Sequence, residues 1–162
     1  MKSNYQQEDY KKKVRQPVRH DLNFEHYEYV INNCRKVDEY EIMLMGYTKP
    51  RLIRKFDDLE GGVTGTYHGT PFLAAGTHVL AKECWYWFIG TPLANDFFVR
   101  ISKEAERLIR DSMEKHPDKR HLVQVWSKHT QSVAWLNMLK FKRISSYYQG
   151  SEEIFIVERK RN

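Results

Sequence analysis

Apolar residues recur along this chain with two periods, and the switch between them marks out its elements. From Phe24 to Cys34 the apolar positions Phe24, Tyr27, Val30, Ile31 and Cys34 keep helical spacing, with Asn23 placed to cap the first turn. A second helical stretch covers Asp38 to Met45 and stops at Gly46, and 50–56 adds a short turn with Leu52, Ile53 and Phe56 inward. From Gly61 the period changes to that of strands. Residues 61–67 and 72–79 read as a hairpin about the turn His68-Gly69-Thr70-Pro71.

Residues 83–90, Glu-Cys-Trp-Tyr-Trp-Phe-Ile-Gly, are apolar on both faces, as a strand covered on both sides must be. Asn95 or Asp96 then caps a helix running to about Lys115, with Phe97, Ile101, Ala105 and Leu108 on one stripe and Glu106/Arg110 and Asp111/Lys115 pairing on the wet face. His121 to Ser127 is a second buried strand, so this stretch forms a parallel β-α-β unit. A short helix from Thr130 to Leu139 leads into an antiparallel pair, 141–148 and 153–159, joined across Gly150. Val14 to Arg19, which contains Pro17, suits an edge strand. The expected fold class is α/β (α+β): a mixed sheet of six to seven strands, a central parallel β-α-β unit, and helices on both faces.

Composition narrows the class without naming a function. With 162 residues, 41% of them hydrophobic, the chain can bury a core as one domain, expected over 14–162. No apolar run reaches the roughly 18–20 residues of a membrane span, and the polar start carries no apolar signal core, so a soluble protein that stays in its cell is expected. The first 20 residues hold six Lys or Arg against Glu8 and Asp9, a net +4 of the chain's +6. The basic arm 1–13 is therefore expected to be solvated, with nucleic acid or an acidic partner as the alternative use. Cys34 and Cys84 are isolated and predict buried thiols, and no metal site is expected.

One segment adds a positional pattern to this order of elements. His129, Ser132, Leu136, Lys140 and Phe141 occupy the spacing that GNAT acyltransferases fill with Asn, a small residue, Tyr and Gly-Phe after the fifth strand. The chain thus resembles the GNAT fold. Within that fold it looks most like the internal virion protein A group of short-tailed phages, through residues 34–42 with Gly46, through 85–91, and through Ser132 to Leu136 followed by Phe141.

The resemblance implies chemistry that can be compared with the residues present. GNAT enzymes hold the pyrophosphate of acetyl-CoA on backbone N–H groups of a glycine-rich loop, where a Cβ would obstruct close approach. Here no glycine occurs between Gly90 and Gly150, and the matching loop is Thr91-Pro92-Leu93-Ala94-Asn95-Asp96. The acid that protonates a departing thiolate is a tyrosine in many relatives, and its counterpart is Leu136. No catalytic residue and no cofactor are therefore expected, and the function implied is a phage virion or assembly protein acting through contacts with other virion proteins, in the host cytoplasm or the virion interior.

The alternative reading is an active N-acyltransferase using acetyl-CoA on a host or phage amine. It would draw its catalytic groups from Glu83, His78 and Tyr147, with Tyr148 and His129 also in reach of a strand end. It would draw its cofactor contacts from Phe88, Ile89, Gly90, Thr91, Asp96, Arg100 and His129. This reading requires strands 84–89 and 122–126 to splay apart, and it fails if Trp126, Trp135 or Phe97 fills the gap.

Overall fold

The computed structural model describes residues 16–162, so the basic arm 1–13 and the first two residues of the expected edge strand lie outside the described residues. Strand β1 is Val18–Asp21, later along the chain than the apolar pattern suggests. Three helices follow: α1 Phe24–Asn32, α2 Lys36–Leu44 and α3 Lys49–Arg54, with a 3-10 turn at Phe56–Asp58. Asn23 caps α1 as its side chain predicts, accepting the His26 N–H at 3.0 Å. Gly46 ends α2 with φ +84°, a conformation in which a Cβ would be strained.

Strands β2 (Gly62–Tyr67) and β3 (Thr70–Val79) form the hairpin. Its turn is shorter than the four residues expected. His68 and Gly69 alone make it, both with positive φ, and Pro71 already belongs to β3 opposite Thr66 at a bulge. Strand β4 (Glu83–Gly90) has the predicted ends. A 3-10 turn at Pro92–Phe97 comes next, and only then α4 (Phe98–Lys115). Neither Asn95 nor Asp96 caps α4. Its N-cap is Phe97, with no side-chain bond, because the 3-10 turn pushes the start downstream. Strand β5 (Arg120–Trp126), α5 (Thr130–Met138), β6 (Lys142–Gln149) and β7 (Glu152–Arg159) complete the chain.

The seven strands of the described residues join one mixed sheet in the order β1-β2-β3-β4-β5-β7-β6, antiparallel except for β4 against β5. Strand alternation sends Tyr86 to one face, where it packs with Ile109 and Met113 of α4, Leu136 of α5 and Phe141. Ile89 goes to the other, onto Tyr27, Val30 and Ile31 of α1 and Ile42 of α2. The central strand is thus covered on both sides, as its composition requires. Cys84 is fully buried, whereas Cys34 is only half-buried. No helix among the described residues is long and apolar enough to cross a membrane.

Candidate active site

The two parallel strands at the centre pair over only three residues, Glu83/Arg120, Cys84/His121 and Trp85/Leu122. Beyond Trp85 they part. A strand edge without a neighbour leaves backbone N–H and C=O groups to be satisfied otherwise, and α2 does this from above the gap. On the β4 side, Gly90 C=O accepts the Arg35 amide at 2.9 Å, and Gly90 N–H donates to Asp38 Oδ2 at 3.1 Å. On the β5 side, Trp126 N–H donates to Glu41 Oε1 at 3.0 Å. Asp38 and Glu41, one turn apart on α2, therefore bridge the two diverging strands.

Asp38 is buried and is held by Arg35 through Nε (2.9 Å) and a second guanidinium nitrogen (3.0 Å). Such bidentate pairing offsets the desolvation of a buried carboxylate. Glu41 meets a further partner from β5's end. His129 is 5% exposed; its Nδ1 lies 3.1 Å from Glu41 Oε1 but off the ring's N–H direction, so it is a buried polar atom with no hydrogen-bond partner among the described residues. Its Nε2 lies 3.0 Å from Ser132 Oγ.

Donor atoms of Asp38, Glu41 and His129 all fall within 4.8 Å of one another. Sequence spacing predicts no metal ligands, yet the fold assembles three candidate donors. Asp38 is the weak member of such a set, because both its oxygens already accept from Arg35 and one also accepts from Gly90.

Two cavities flank this cluster. The larger, about 470 Å³, lies on the side of α1–α3 and is lined by Asp38, Glu41, Trp87, Ile89, Gln124 and Ser132 among others. Trp87 adds a buried Nε1–H with no partner among the described residues. The smaller, about 80 Å³, lies toward the start of α4 and is lined by Arg35, Phe88, Gly90, Asn95, Gln131 and Trp135 among others. Trp126 and Phe97 leave the splay open: Trp126 packs on Tyr40 and donates to Glu152, and Phe97 packs on Tyr67 and Phe72. Trp135 borders both cavities. Its indole stands edge-on to Phe88 at 5.0 Å and donates to Ser102 Oγ at 2.9 Å, tying α5 to α4 across the smaller space.

The residues named from sequence divide between this cluster and other places. Phe88, Ile89 and Gly90 line the smaller cavity, and His129 joins the cluster beside it. Thr91 is buried and donates its N–H to Phe72 C=O. Asp96 is exposed, and Arg100 turns toward β1, where it donates to Gln16 at 3.5 Å. Glu83 accepts from the Trp85 indole at 2.9 Å and pairs with Arg120 at the strand's start, away from the splay. His78 is exposed at the rim of the larger cavity. Tyr147 O–H donates to Gln124 Oε1 at 2.8 Å, and burial raises its pKa above the ordinary value. Tyr148 is 67% exposed.

Asp38 and Glu41 are absent from the sequence reading of the site, and Ser132 enters it only as a pattern position. A signal existed: Asp38 sits four residues before Ile42, both buried, so a charge occupies the helix's apolar face.

The loop after β4 does not fit a pyrophosphate. A Cβ on Gly90 would lie 2.9 Å from Ala94 Cβ, so the 3-10 turn is already packed onto the strand end where a phosphate would need room. Ala94 N–H is used within the turn by Thr91 C=O, Pro92 has no N–H, and Arg35 donates to Asn95 at 3.2 Å. Leu136, at the position of the usual acid, is 3% exposed and belongs to the core.

No family model matches the chain, and no curated protein is similar to it in sequence. Solved structures are similar in fold. The ribosomal-protein-S18-alanine N-acetyltransferase from Escherichia coli superposes with a TM-score of 0.66 at 15% identity, over 89% of this chain and 93% of that one. The PaiA N-acetyltransferase from Thermoplasma acidophilum, in complex with coenzyme A, gives 0.63 at 15% identity, over 90% and 99%. A variant of spermidine N-acetyltransferase SpeG from Vibrio cholerae gives 0.63 at 10% identity, over 88% and 92%. The fold is that of the GNAT acetyltransferases.

Proposed function

We propose that this chain is a GNAT-type acyltransferase that works at the splay between β4 and β5, passing an acyl group from a thioester to an amine in the larger cavity. The observation that carries this reading is the parting of the two strands after Trp85 and Leu122, with Glu41 and His129 at the open end of the gap beside Trp126. An amine attacking a thioester must lose a proton, and Glu41 and His129 are the groups placed to take it. The apolar walls, Trp87 and Ile89 among them, exclude water from the reacting carbonyl and favour aminolysis over hydrolysis. Because the loop 92–97 does not fit a pyrophosphate, the donor is recognised through its acyl and thioester end and gains little from a nucleotide.

Thermal unfolding with acetyl-CoA and with a short acetyl thioester lacking the nucleotide tests this reading. A ligand at a hundredfold excess over its Kd adds about 2.7 kcal/mol to stability. Comparable shifts from both donors, with acetylation of a polyamine or a peptide amine, are expected. No shift from either and no transfer would remove the reading.

A second reading is favoured by the loop 92–97 and its surroundings: an internal virion or assembly protein of a short-tailed phage, acting through protein contacts. Phe98 and Val99, 43% and 68% exposed, follow that loop and offer an apolar contact where a cofactor loop would otherwise stand. Mass spectrometry of purified virions tests it, and absence of the chain from particles and assembly intermediates would remove it.

A further inference from the structure

Resting on the acyl-transfer reading, we propose that Ser132 is a nucleophile that carries the acyl group covalently, activated by His129 and oriented by Glu41. The contacts follow one another: Ser132 Oγ lies 3.0 Å from His129 Nε2, and His129 Nδ1 lies 3.1 Å from Glu41 Oε1, off the N–H direction. That is the order of hydroxyl, imidazole and carboxylate in which a base takes the hydroxyl proton while an acid group holds the base's other nitrogen. His129 Nδ1 is the second observation. A buried imidazole nitrogen with no hydrogen-bond partner among the described residues is costly, and the charge it faces at 3.1 Å is the Glu41 carboxylate.

The setting suits the step in two further ways. Ser132 borders both cavities, so its hydroxyl can be reached from the acceptor side and from the donor side. It also lies in the first turn of α5, whose N-terminus has no side-chain cap. The first helical hydrogen bond is Val133 N–H to His129 C=O at 3.0 Å, so the amides of Thr130, Gln131 and Ser132 precede the helical ladder. Such amides stabilise an oxyanion formed at a serine in the same turn.

The reaction balances without another reagent. Ser132 Oγ attacks the thioester carbonyl, its proton passes to His129 Nε2, the C–S bond breaks, and that proton leaves on the thiol. The acceptor amine then attacks the acyl-serine, His129 Nε2 takes the amine proton and delivers it to Oγ, and the C–O bond breaks. This route needs no tyrosine at position 136, because His129 supplies the proton to the leaving thiolate. A divalent cation held by the same residues is the competing use. It is disfavoured because Arg35 sits against Asp38 with both guanidinium contacts at 3.0 Å or less.

The test uses the full chain with p-nitrophenyl acetate and, separately, with a fluorophosphonate probe. A burst of one p-nitrophenolate per chain is expected, with an acetyl group or the phosphonate on the peptide bearing Ser132. Ser132→Ala abolishes the burst and both adducts. His129→Gln slows acylation roughly 10²–10⁴-fold. Glu41→Gln, which changes a positioning residue, keeps the adduct but slows acylation while leaving the ester concentration at half-saturation unchanged, and Glu41→Asp restores part of the rate. Absence of an adduct in the unaltered protein overturns the proposal, as does ester cleavage that survives Ser132→Ala. Loss of the burst in EDTA with recovery in zinc would assign the cluster to a metal instead and equally overturn it. Amine acetylation is followed in parallel: transfer unaffected by Ser132→Ala removes the covalent step and leaves the acyl-transfer reading standing, whereas an adduct that no amine discharges removes that reading and leaves the nucleophile.

Discussion

Asp38 Oδ2 accepts the amide N–H of Gly90 at 3.1 Å, across 52 positions of chain. One buried oxygen thereby closes the free edge of the central strand and anchors α2 over the splay. Arg35 holds the same carboxylate, so the contact depends on a three-part arrangement of cation, anion and amide.

Arg35→Met is accordingly expected to destabilise the protein by about 3 kcal/mol, because it leaves the 4%-exposed Asp38 charge without its cation. Asp38→Asn should cost about 1–3 kcal/mol, through the weakened bonds to Gly90 and Arg35. Urea denaturation at neutral pH measures both. If Arg35→Met is neutral, the pair contributes nothing to the anchoring of α2.

Trp135→Leu should join the two cavities by removing the indole that spans from Phe88 to Ser102. A stability loss of about 3 kcal/mol is expected from the lost packing. At the same time the enlarged passage should raise affinity for acetyl-CoA relative to the short thioester. Isothermal titration with both donors checks this, and an unchanged preference would show that Trp135 does not limit access.

His121 sets a pH dependence of stability. Burial in the core lowers its pKa below 6.5, while its Nδ1 meets Tyr86 O–H at 2.7 Å. The unfolded chain then binds more protons than the folded one once pH falls below about 6.5, so stability is complete above that value and declines on acidification until the lowered native pKa is passed. His121→Gln should flatten this part of the curve. Denaturation midpoints between pH 8 and pH 5 provide the measurement, and an unchanged slope in the variant would assign the titration elsewhere.

Gly76→Ala should displace the Trp87 ring. A Cβ there would lie 2.6 Å from Trp87 Cζ2 and 2.9 Å from Gly61 C=O, closer than atoms pack. About 1–3 kcal/mol of destabilisation is expected from the overpacking. Trp87 lines the larger cavity, so its fluorescence should change with the substitution, and thioester binding should weaken. Wild-type fluorescence would mean that the strand, not the ring, gives way.

The layers of this protein follow from local patterns along the chain. Helical spacing from Phe24 to Cys34, the two-faced apolar strand 83–90 and the paired strands at the end follow from periods that local geometry imposes, so they are legible residue by residue. The absence of glycine after Gly90 and the leucine at 136 were equally legible, because each is a property of one position. The meeting of Asp38 and Glu41 from α2 with His129 and Ser132 from the start of α5 arises instead from long-range packing. These groups are separated by about ninety residues of chain, and no local period couples them. They come together because β4 and β5 diverge after Trp85 and Leu122, and the backbone groups exposed by that divergence need acceptors that only the overlying helix supplies.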